Sequence, residues 1–369
     1  MTIRIDLIAG ARPNFMKIAP IIRAIERRER IGGPLRYRIV HTGQHYDARL
    51  SGQFFEELGI PTPDVNLEAG SGSQAVQTAA ILTRYEALIE KEPTDFCLVV
   101  GDVNSTLACT ITARKLGVPV GHVEAGIRSG DWSMPEEINR TVTDAIANWF
   151  FTTSQQAGLN LIHNGVDPAR IFFVGNTMID TLLTHMDRLR PPSFWDELDL
   201  APGEYFVMTL HRPANVDEAR VLTETLAAVA EAARGYPVIF PIHPRTRKTI
   251  DQVAEYPCSI HLVDPQPYLA FNFLVKYAKA VLTDSGGITE EATVMGIPCL
   301  TLRDQTERPE TVTLGTNEVI GTDPRKLALA LDRIFAGQWK KGGIPEKWDG
   351  HAAERIVDAL ERIVTGACR

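Results

Sequence analysis

Short apolar runs recur along the chain, each leading into a polar turn and then a longer stretch with apolar residues at helical spacing. This alternation predicts parallel sheets with helices on both faces. In the first half, strands are expected at 3–9, 36–42, 96–100, 118–123, 149–152 and 171–174. Helices are expected at 15–30, 51–58, 74–90, 105–116, 135–147 and 154–164. Gly59, Gly117 and Gly165 follow three of these as stop signals. Pro20 is expected near the first turn of its helix, or as a kink. The rhythm breaks over 188–203, where Arg190-Pro191-Pro192-Ser193 and Ala201-Pro202-Gly203 read as an interdomain connection. It then restarts, with strands at 205–210, 238–241, 259–262, 280–283, 299–302 and 318–320. A last helix over 351–365 carries Ala352, Ile356, Val357, Leu360 and Ile363 on one face. Two similar α/β domains with a cleft between them are the expected architecture.

The length agrees: 369 residues suit about two domains, each with its own core. A chain that is 44% hydrophobic and 23% charged reads as globular. A formal charge of -8 and a pI near 5.7 argue against binding bulk nucleic acid or an anionic membrane. They leave room for a small anion held by a few local Arg and His residues. Cys97, Cys109, Cys258, Cys299 and Cys368 have no Cys-x-x-Cys and no metal-ligand spacing, so they read as buried reduced thiols. No stretch approaches the ~20 apolar residues of a spanning helix. The expectation is a cytoplasmic protein.

The chemistry lies where strands end. In open α/β sheets the carboxyl ends of the strands face the ligand crevice. Val99-Val100-Gly101-Asp102 and Gly121-His122-Val123-Glu124 each end in an acid. Asp102 serves either an Asx-turn or catalysis; Asn104 and Ser105 could cap the following helix without it. Glu is a poor turn residue, so Glu124 favours function over a surface pair with Arg128. Glu136 is explained without function, because Ser133 stands at capping-box spacing and Arg140 at i,i+4.

Positive groups also sit at strand ends. Arg12 and Lys17 follow the first strand and suit a diphosphate, or are solvated bases beside a strand-to-helix turn. His211-Arg212 and His243-Pro244-Arg245 repeat a His/Arg theme at two strand ends of the second half. Ser285-Gly286-Gly287 opens a helix whose bare N–H groups and dipole suit a phosphate. Glu290 and Glu291 follow; an acid there complements the dipole or grips ribose hydroxyls. The charge-dense stretch 303–310 reads as a solvated loop. Neither G-x-G-x-x-G nor G-x-x-x-x-G-K-[ST] occurs at the first turn.

Together, Gly-Ala-Arg-Pro at 10–13, Gly-Asp-x-Asn-Ser-Thr at 101–106, His-Val-Glu-Ala-Gly at 122–126, Pro-Glu-Glu-x-Asn-Arg at 135–140, Thr-Asp-Ser-Gly-Gly at 283–287 and Thr-Glu-Arg-Pro-Glu at 306–310 resemble the non-hydrolysing UDP-N-acetylglucosamine 2-epimerases. The likeness spans about residues 3 to 325, in order. It implies two Rossmann-like domains with a central cleft, the GT-B-type glycosyltransferase fold. Residues 1–185, completed by the C-terminal helix 351–369, would form the first domain, and 200–350 the UDP-binding second. It implies reversible inversion at C2, UDP-GlcNAc to UDP-ManNAc, by anti elimination of UDP to 2-acetamidoglucal and re-addition. No NAD or metal would be needed. By motif, Asp102, Glu124 and Glu136 would be catalytic, which reverses the structural reading of Glu136. His211 would act at the diphosphate. Arg12, Lys17, His243, Ser285, Gly286, Gly287, Glu291 and Arg308 would bind substrate or UDP, with Glu291 on the ribose. A homodimer, no nucleic-acid or membrane partner, closure of the cleft on substrate and a role in cell-surface polysaccharide biosynthesis are further implications.

The chain also departs from well-known members. Asn14-Phe15 replaces a Glu-Ala-like pair, and His211-Arg212-Pro213-Ala214-Asn215 replaces Gly-His-Arg-Arg-Glu. Many bacterial members are regulated by a second UDP-GlcNAc through a Gln-His segment and a later Arg. Gln44 and His45 are present, but 68–74 carries no Arg. Related branches act on a UDP-2,3-diacetamido uronic acid, and Asn14-Phe15 leans that way. A GT-B glycosyltransferase, a nucleotide-sugar sensor and a hydrolysing epimerase are the competing readings.

Overall fold

The computed structural model describes residues 2–43, 55–242, 244–251 and 255–366. The chain divides into two compact units, residues 1–184 with 346–369, and residues 185–345. The first holds strands β1 (Ile3–Ala9), β2 (Leu35–His41), β3 (Val65–Asn66), β4 (Phe96–Val100), β5 (Val120–Val123), β6 (Trp149–Thr152) and β7 (Ile171–Phe173). They form one sheet in the order 3-2-1-4-5-6-7, every pairing parallel. The second holds β8 (Phe206–Thr209), β9 (Val238–Pro241), β10 (Ile260–Val263), β11 (Ala280–Thr283), β12 (Cys299–Thr301) and β13 (Asn317–Val319), again all parallel, in the order 10-9-8-11-12-13. Both units are Rossmann-like and doubly wound. The winding direction reverses between β1 and β4, and again between β8 and β11. At such switch points the chain ends of adjacent strands splay apart and leave room for a ligand.

The strands at the switch points are buried on both faces, as parallel strands must be. All of Phe96–Val100 is buried, and so are Ile5, Leu7, Ile8 and Ala9 of β1. Asp6 interrupts β1 yet is wholly buried, because Arg38 of β2 clamps it with two 2.8 Å bonds and the Tyr85 hydroxyl donates at 3.0 Å.

Helix Arg12–Arg30 starts three residues before its expected start, and Pro20 lies inside it rather than in its first turn. Pro13 takes the early position where a missing N–H costs nothing. Residues 55–58 are helical, while 51–54 of the expected helix lie outside the described residues. The Pro-rich stretch after 188 packs within the second unit: Trp195 meets Tyr205 and Phe273 edge-on, at 5.5 and 5.1 Å between ring centres. Helix Ala352–Val364 lies on helix Arg12–Arg30 in the first unit. Arg27–Glu354 (2.9 Å) and Arg28–Asp358 join the two. Cys97, Cys109 and Cys299 are buried free thiols, but Cys258 is exposed, since it lies in the turn just before β10, and Cys368 lies outside the described residues. No helix among the described residues is long and apolar enough to cross a membrane.

Candidate active site

In the first unit the polar groups gather at the carboxyl ends of β1, β4 and β5. β5 leads directly into Glu124, which is 4% exposed and holds φ at 68°. A non-glycine residue in the left-handed region is strained, and such strain persists only where the surroundings impose it. Here the N–H groups of Glu124 and Ala125 both donate to the Phe151 carbonyl, and Gly126 N donates to Asp144. The turn aims the carboxylate at Lys17, whose Nζ lies 2.7 Å from Oε2. Gly101 borders this pair: a Cβ there would stand 3.1 Å from Lys17 Nζ and 3.9 Å from Glu124 Oε2. The alternative, a Glu124–Arg128 pair, does not form, because Arg128 turns to Asp144 at 2.7 Å.

Asp102 follows Gly101 and keeps a third of its side chain exposed. Arg140 donates to its carboxylate at 2.5 Å, and Asn139 donates to its carbonyl at 2.9 Å. Arg140 also binds Glu137, which accepts in turn from Ser129 N, Ser129 Oγ and Gly130 N. Helix Pro135–Ile146 thus holds the Asp102 turn with its first two turns.

Glu136 sits half-buried on the same helix. Neither structural role expected of it is present. Met134 is the N-cap and makes no side-chain cap, Ser133 Oγ donates to Asp131 at 2.6 Å, and Arg140 is engaged by Asp102 and Glu137. Nor do Asn104 or Ser105 cap the helix after β4; its N-cap is Val103, and Asn104 instead donates to Gln74 and Gln77. Arg12 stands exposed at the start of its helix.

Behind these strand ends lies a buried His-Asp pair. His122 Nδ1 is 2.7 Å from Asp144, and Nε2 is 2.8 Å from the Gly101 carbonyl. Burial alone would raise the Asp144 carboxyl, but His122 and then Arg128 hold it below the usual range. Asn14, noted only as a departure from the family, bonds Gly10 N, Ala11 N and the Val100 carbonyl, so it ties the β1 turn to the end of β4.

In the second unit, His211 follows β8 and Asp284 follows β11. His211 Nδ1 lies 2.8 Å from Asp284, which is wholly buried. Asp284 also accepts from His211 N, Arg212 N and Asn215 Nδ2. Ser285 caps helix Gly286–Met295 by backbone position alone, and Glu307 crowds Gly286: a Cβ there would stand 2.8 Å from its carboxylate. Gly287 is the second residue of that helix.

Glu291 is buried one turn on, accepting from the Tyr268 hydroxyl at 3.0 Å; burial pushes its pKa up to about 7. The 303–310 stretch is not a solvated loop. Glu307, Arg308 and Glu310 are buried, with Arg308 on Glu290 at 2.5 Å and Arg303 on Glu307 at 2.8 Å. His243, Gln44 and His45 lie outside the described residues. Among the described residues no group of three or more His, Cys, Asp or Glu side chains is arranged to hold a metal ion.

Missed in the sequence were Asn14, His122, Glu137, Arg140, Asp144, Asn215 and Asp284 as supports for the strand ends. A buried-strand histidine (122) and an Asp at a strand end (284) were the available signals.

Two doubly wound parallel units with polar groups gathered at both switch points define a two-domain α/β protein of the GT-B type. The chain belongs to the UDP-N-acetylglucosamine 2-epimerase family, whose model matches residues 25–361. It is 38% identical to the UDP-N-acetylglucosamine 2-epimerase of Methanocaldococcus jannaschii, over 97% of this chain and 98% of that one. It is also 38% identical to the UDP-2,3-diacetamido-2,3-dideoxy-D-glucuronate 2-epimerase of Pseudomonas aeruginosa, over 98% and 100% of the two chains. The crystal structure of the M. jannaschii enzyme in complex with UDP-GlcNAc and UDP superposes with a TM-score of 0.88, covering 97% of this chain and 99% of that one.

Proposed function

We propose that this chain inverts C2 of a UDP-2-acetamido sugar reversibly, converting UDP-GlcNAc to UDP-ManNAc without an added cofactor. The observation that carries this reading is the strained, buried Glu124 facing Lys17 beside Asp102. One acid is aimed by its backbone, and a second acid keeps part of its side chain in solvent.

The reaction needs a group to take the C2 proton and a group to return one from the other face. The electron pair of the C2–H bond becomes the C1=C2 double bond as the C1–O bond breaks, and its electrons leave with the diphosphate. Asp102, Glu124 and Glu136 are assigned to the proton at C2. His211 is assigned to the departing diphosphate, where a donor stabilises the developing charge. Arg12, Lys17, His243, Ser285, Gly286, Gly287 and Arg308 are assigned to the substrate and UDP, and Glu291 to the ribose. Within this assignment Lys17 has a second duty, since it faces Glu124.

A UDP-2,3-diacetamido uronic acid is the second reading, supported by the equally similar P. aeruginosa relative. A cytoplasmic location, a homodimer and a role in cell-surface polysaccharide biosynthesis complete the proposal, supported by family membership.

Proton NMR of the protein with UDP-GlcNAc in D2O tests it. UDP-ManNAc carrying deuterium at C2 is the expected product. Free ManNAc with UDP would replace this reading by hydrolysis. An unchanged spectrum, followed by turnover of the diacetamido uronate, would move the assignment to the second substrate.

A further inference from the structure

The inference rests on the proposed action of His211 at the diphosphate. We infer that Asp284 is a positioning residue for His211: it keeps the imidazole proton on Nδ1, so that proton gain and loss during turnover are confined to Nε2.

Asp284 and His211 follow neighbouring strands. The β8–β11 ladder continues through Asp284 N–H to the Thr209 carbonyl at 3.3 Å, which brings the two turns side by side. Among the described residues the buried carboxylate faces fixed N–H donors and one ring nitrogen. Oδ2 accepts from His211 N at 3.0 Å, Arg212 N at 2.9 Å and Asn215 Nδ2 at 3.0 Å, while Oδ1 lies 2.8 Å from His211 Nδ1. Backbone N–H and side-chain amide NH2 groups cannot accept a proton in return. A proton on Oδ2 would point at one of them. Burial raises this carboxyl, but the His211 bond, then the His211 charge, Asn215 and Arg212 N outweigh it and hold the pKa below its ordinary value. Facing an ionised carboxylate, Nδ1 has to be the donor, and the hydrogen bond at one ring nitrogen decides the role of the other.

The Asn215 amide is itself pinned, donating to the Leu302 carbonyl at 3.2 Å as well as to Asp284. The carboxylate therefore has a fixed orientation and passes it to the ring. The His211 side chain keeps 40% of its surface exposed. Nε2 lies on the ring edge opposite Nδ1, so with one edge committed to Asp284 it is Nε2 that is assigned to the diphosphate. Asp284 also precedes Ser285 and Gly286, so one residue links the His211 turn to the helix start assigned to the phosphates.

Three readouts separate this role from a structural one. In wild-type protein labelled with 15N-histidine, the neutral His211 ring is expected to carry its proton on Nδ1. Asp284→Asn can donate to Nδ1 and is expected to move the proton to Nε2. With that tautomer, kcat should fall by roughly 10²–10⁴-fold, as in other His-Asp pairs, with KM within about threefold. In the double variant with His211→Asn, kcat should be no lower than for His211→Asn alone, because Asp284 acts through the ring.

A wild-type ring protonated on Nε2, near-normal turnover of Asp284→Asn, or losses that multiply in the double variant would each overturn the inference. If Asp284→Asn does not fold, the wild-type spectrum decides by itself. Undiminished turnover of His211→Asn would remove His211 from the mechanism, while the spectrum would still judge the hold of Asp284 on the ring.

Discussion

Glu124 and Glu291 are equally buried, at 4% exposure each, and meet burial in opposite ways. Glu124 follows a strand in a left-handed backbone and faces the Lys17 ammonium at 2.7 Å. Glu291 lies in the regular helix Gly286–Met295 and accepts from a hydroxyl and an amide, Tyr268 at 3.0 Å and Asn272 at 3.4 Å. Burial pushes Glu291 up to about 7, and those two neutral donors offset only part of the effect. The partner, and not the depth of burial, decides what a buried acid does. An acid opposite a cation is built as half of an ion pair. An acid among neutral donors is poised to exchange its proton when a ligand brings further donors.

Removing the carboxylate charge should therefore do different damage in the two places. Glu124→Gln is expected to have the largest effect. Turnover should fall by roughly 10²–10⁴-fold, the scale of a lost acid or base. Stability should fall by about 3 kcal/mol, because Lys17 is left in its largely buried place without the carboxylate. Urea unfolding and NMR turnover measure both. Adding Lys17→Met should recover part of the stability and none of the activity. A Glu124→Gln protein with wild-type stability would mean that the pair is not an energetic unit.

Gly101→Ala attacks the same pair from the side. The added methyl would lie 3.1 Å from Lys17 Nζ and 3.6 Å from Asn14 Nδ2, at a φ of 70°. A left-handed non-glycine costs about 1–2 kcal/mol, and displacing Lys17 should lower kcat about tenfold or more. Unchanged kcat with lowered stability would separate the backbone strain from the chemistry.

Glu291→Gln tests the other arm. The folded pKa is raised, so the native state holds a proton that the unfolded chain has released. The stability this contributes is complete below about pH 4.5 and is lost as pH rises through about 7. Gln escapes that loss, so the variant should melt above wild type at pH 8 and close to it at pH 5. Ribose hydroxyls are donors and favour the ionised acid. UDP affinity measured by calorimetry should therefore rise with pH through 7 more steeply for wild type than for the variant. At pH 8 the variant should bind about tenfold more weakly. Parallel pH profiles would take Glu291 out of the ribose site.

The same contrast shows what could be read in advance. The strand ends Gly101-Asp102, Val123-Glu124 and Thr283-Asp284 were legible because apolar runs followed by acids and glycines are local signals. So were the two sheets, since buried parallel strands are continuous apolar stretches. The partners were not. Lys17 and Glu124 are 107 positions apart, Arg140 and Asp102 38, and His211 and Asp284 73. Pairs of that range leave no periodic trace. Local spacing even misled: Ser133, Glu136 and Arg140 have the pattern of a capped helix start, yet tertiary partners take Arg140 and Ser133 turns to Asp131. The 303–310 stretch looked solvated because its charges neutralise one another only after folding.

Asp180 offers the smallest effect and the cleanest check on the role of partners. It too is buried, at 3% exposure, and its partners are the backbone N–H groups of Ala352 (3.1 Å) and Ala353 (2.7 Å), which open the C-terminal helix. It thus caps that helix from elsewhere in the first unit. Burial raises its pKa to about 6; the two N–H groups pull it back, Asp349 adds to the rise and His351 opposes it. The sign follows that of Glu291: the contribution is full below about pH 4 and is lost as pH passes 6. Asp180→Ala should cost about 1–2 kcal/mol at pH 5, the worth of a helix cap. The deficit should shrink by pH 8, where wild type bears the cost of a buried charge that the variant lacks. Turnover should not change. Urea midpoints of the two proteins at both pH values decide the matter. A deficit that stays constant or widens towards pH 8 would show that this carboxylate enters the fold already ionised, and that two backbone donors serve a buried acid as well as a lysine does.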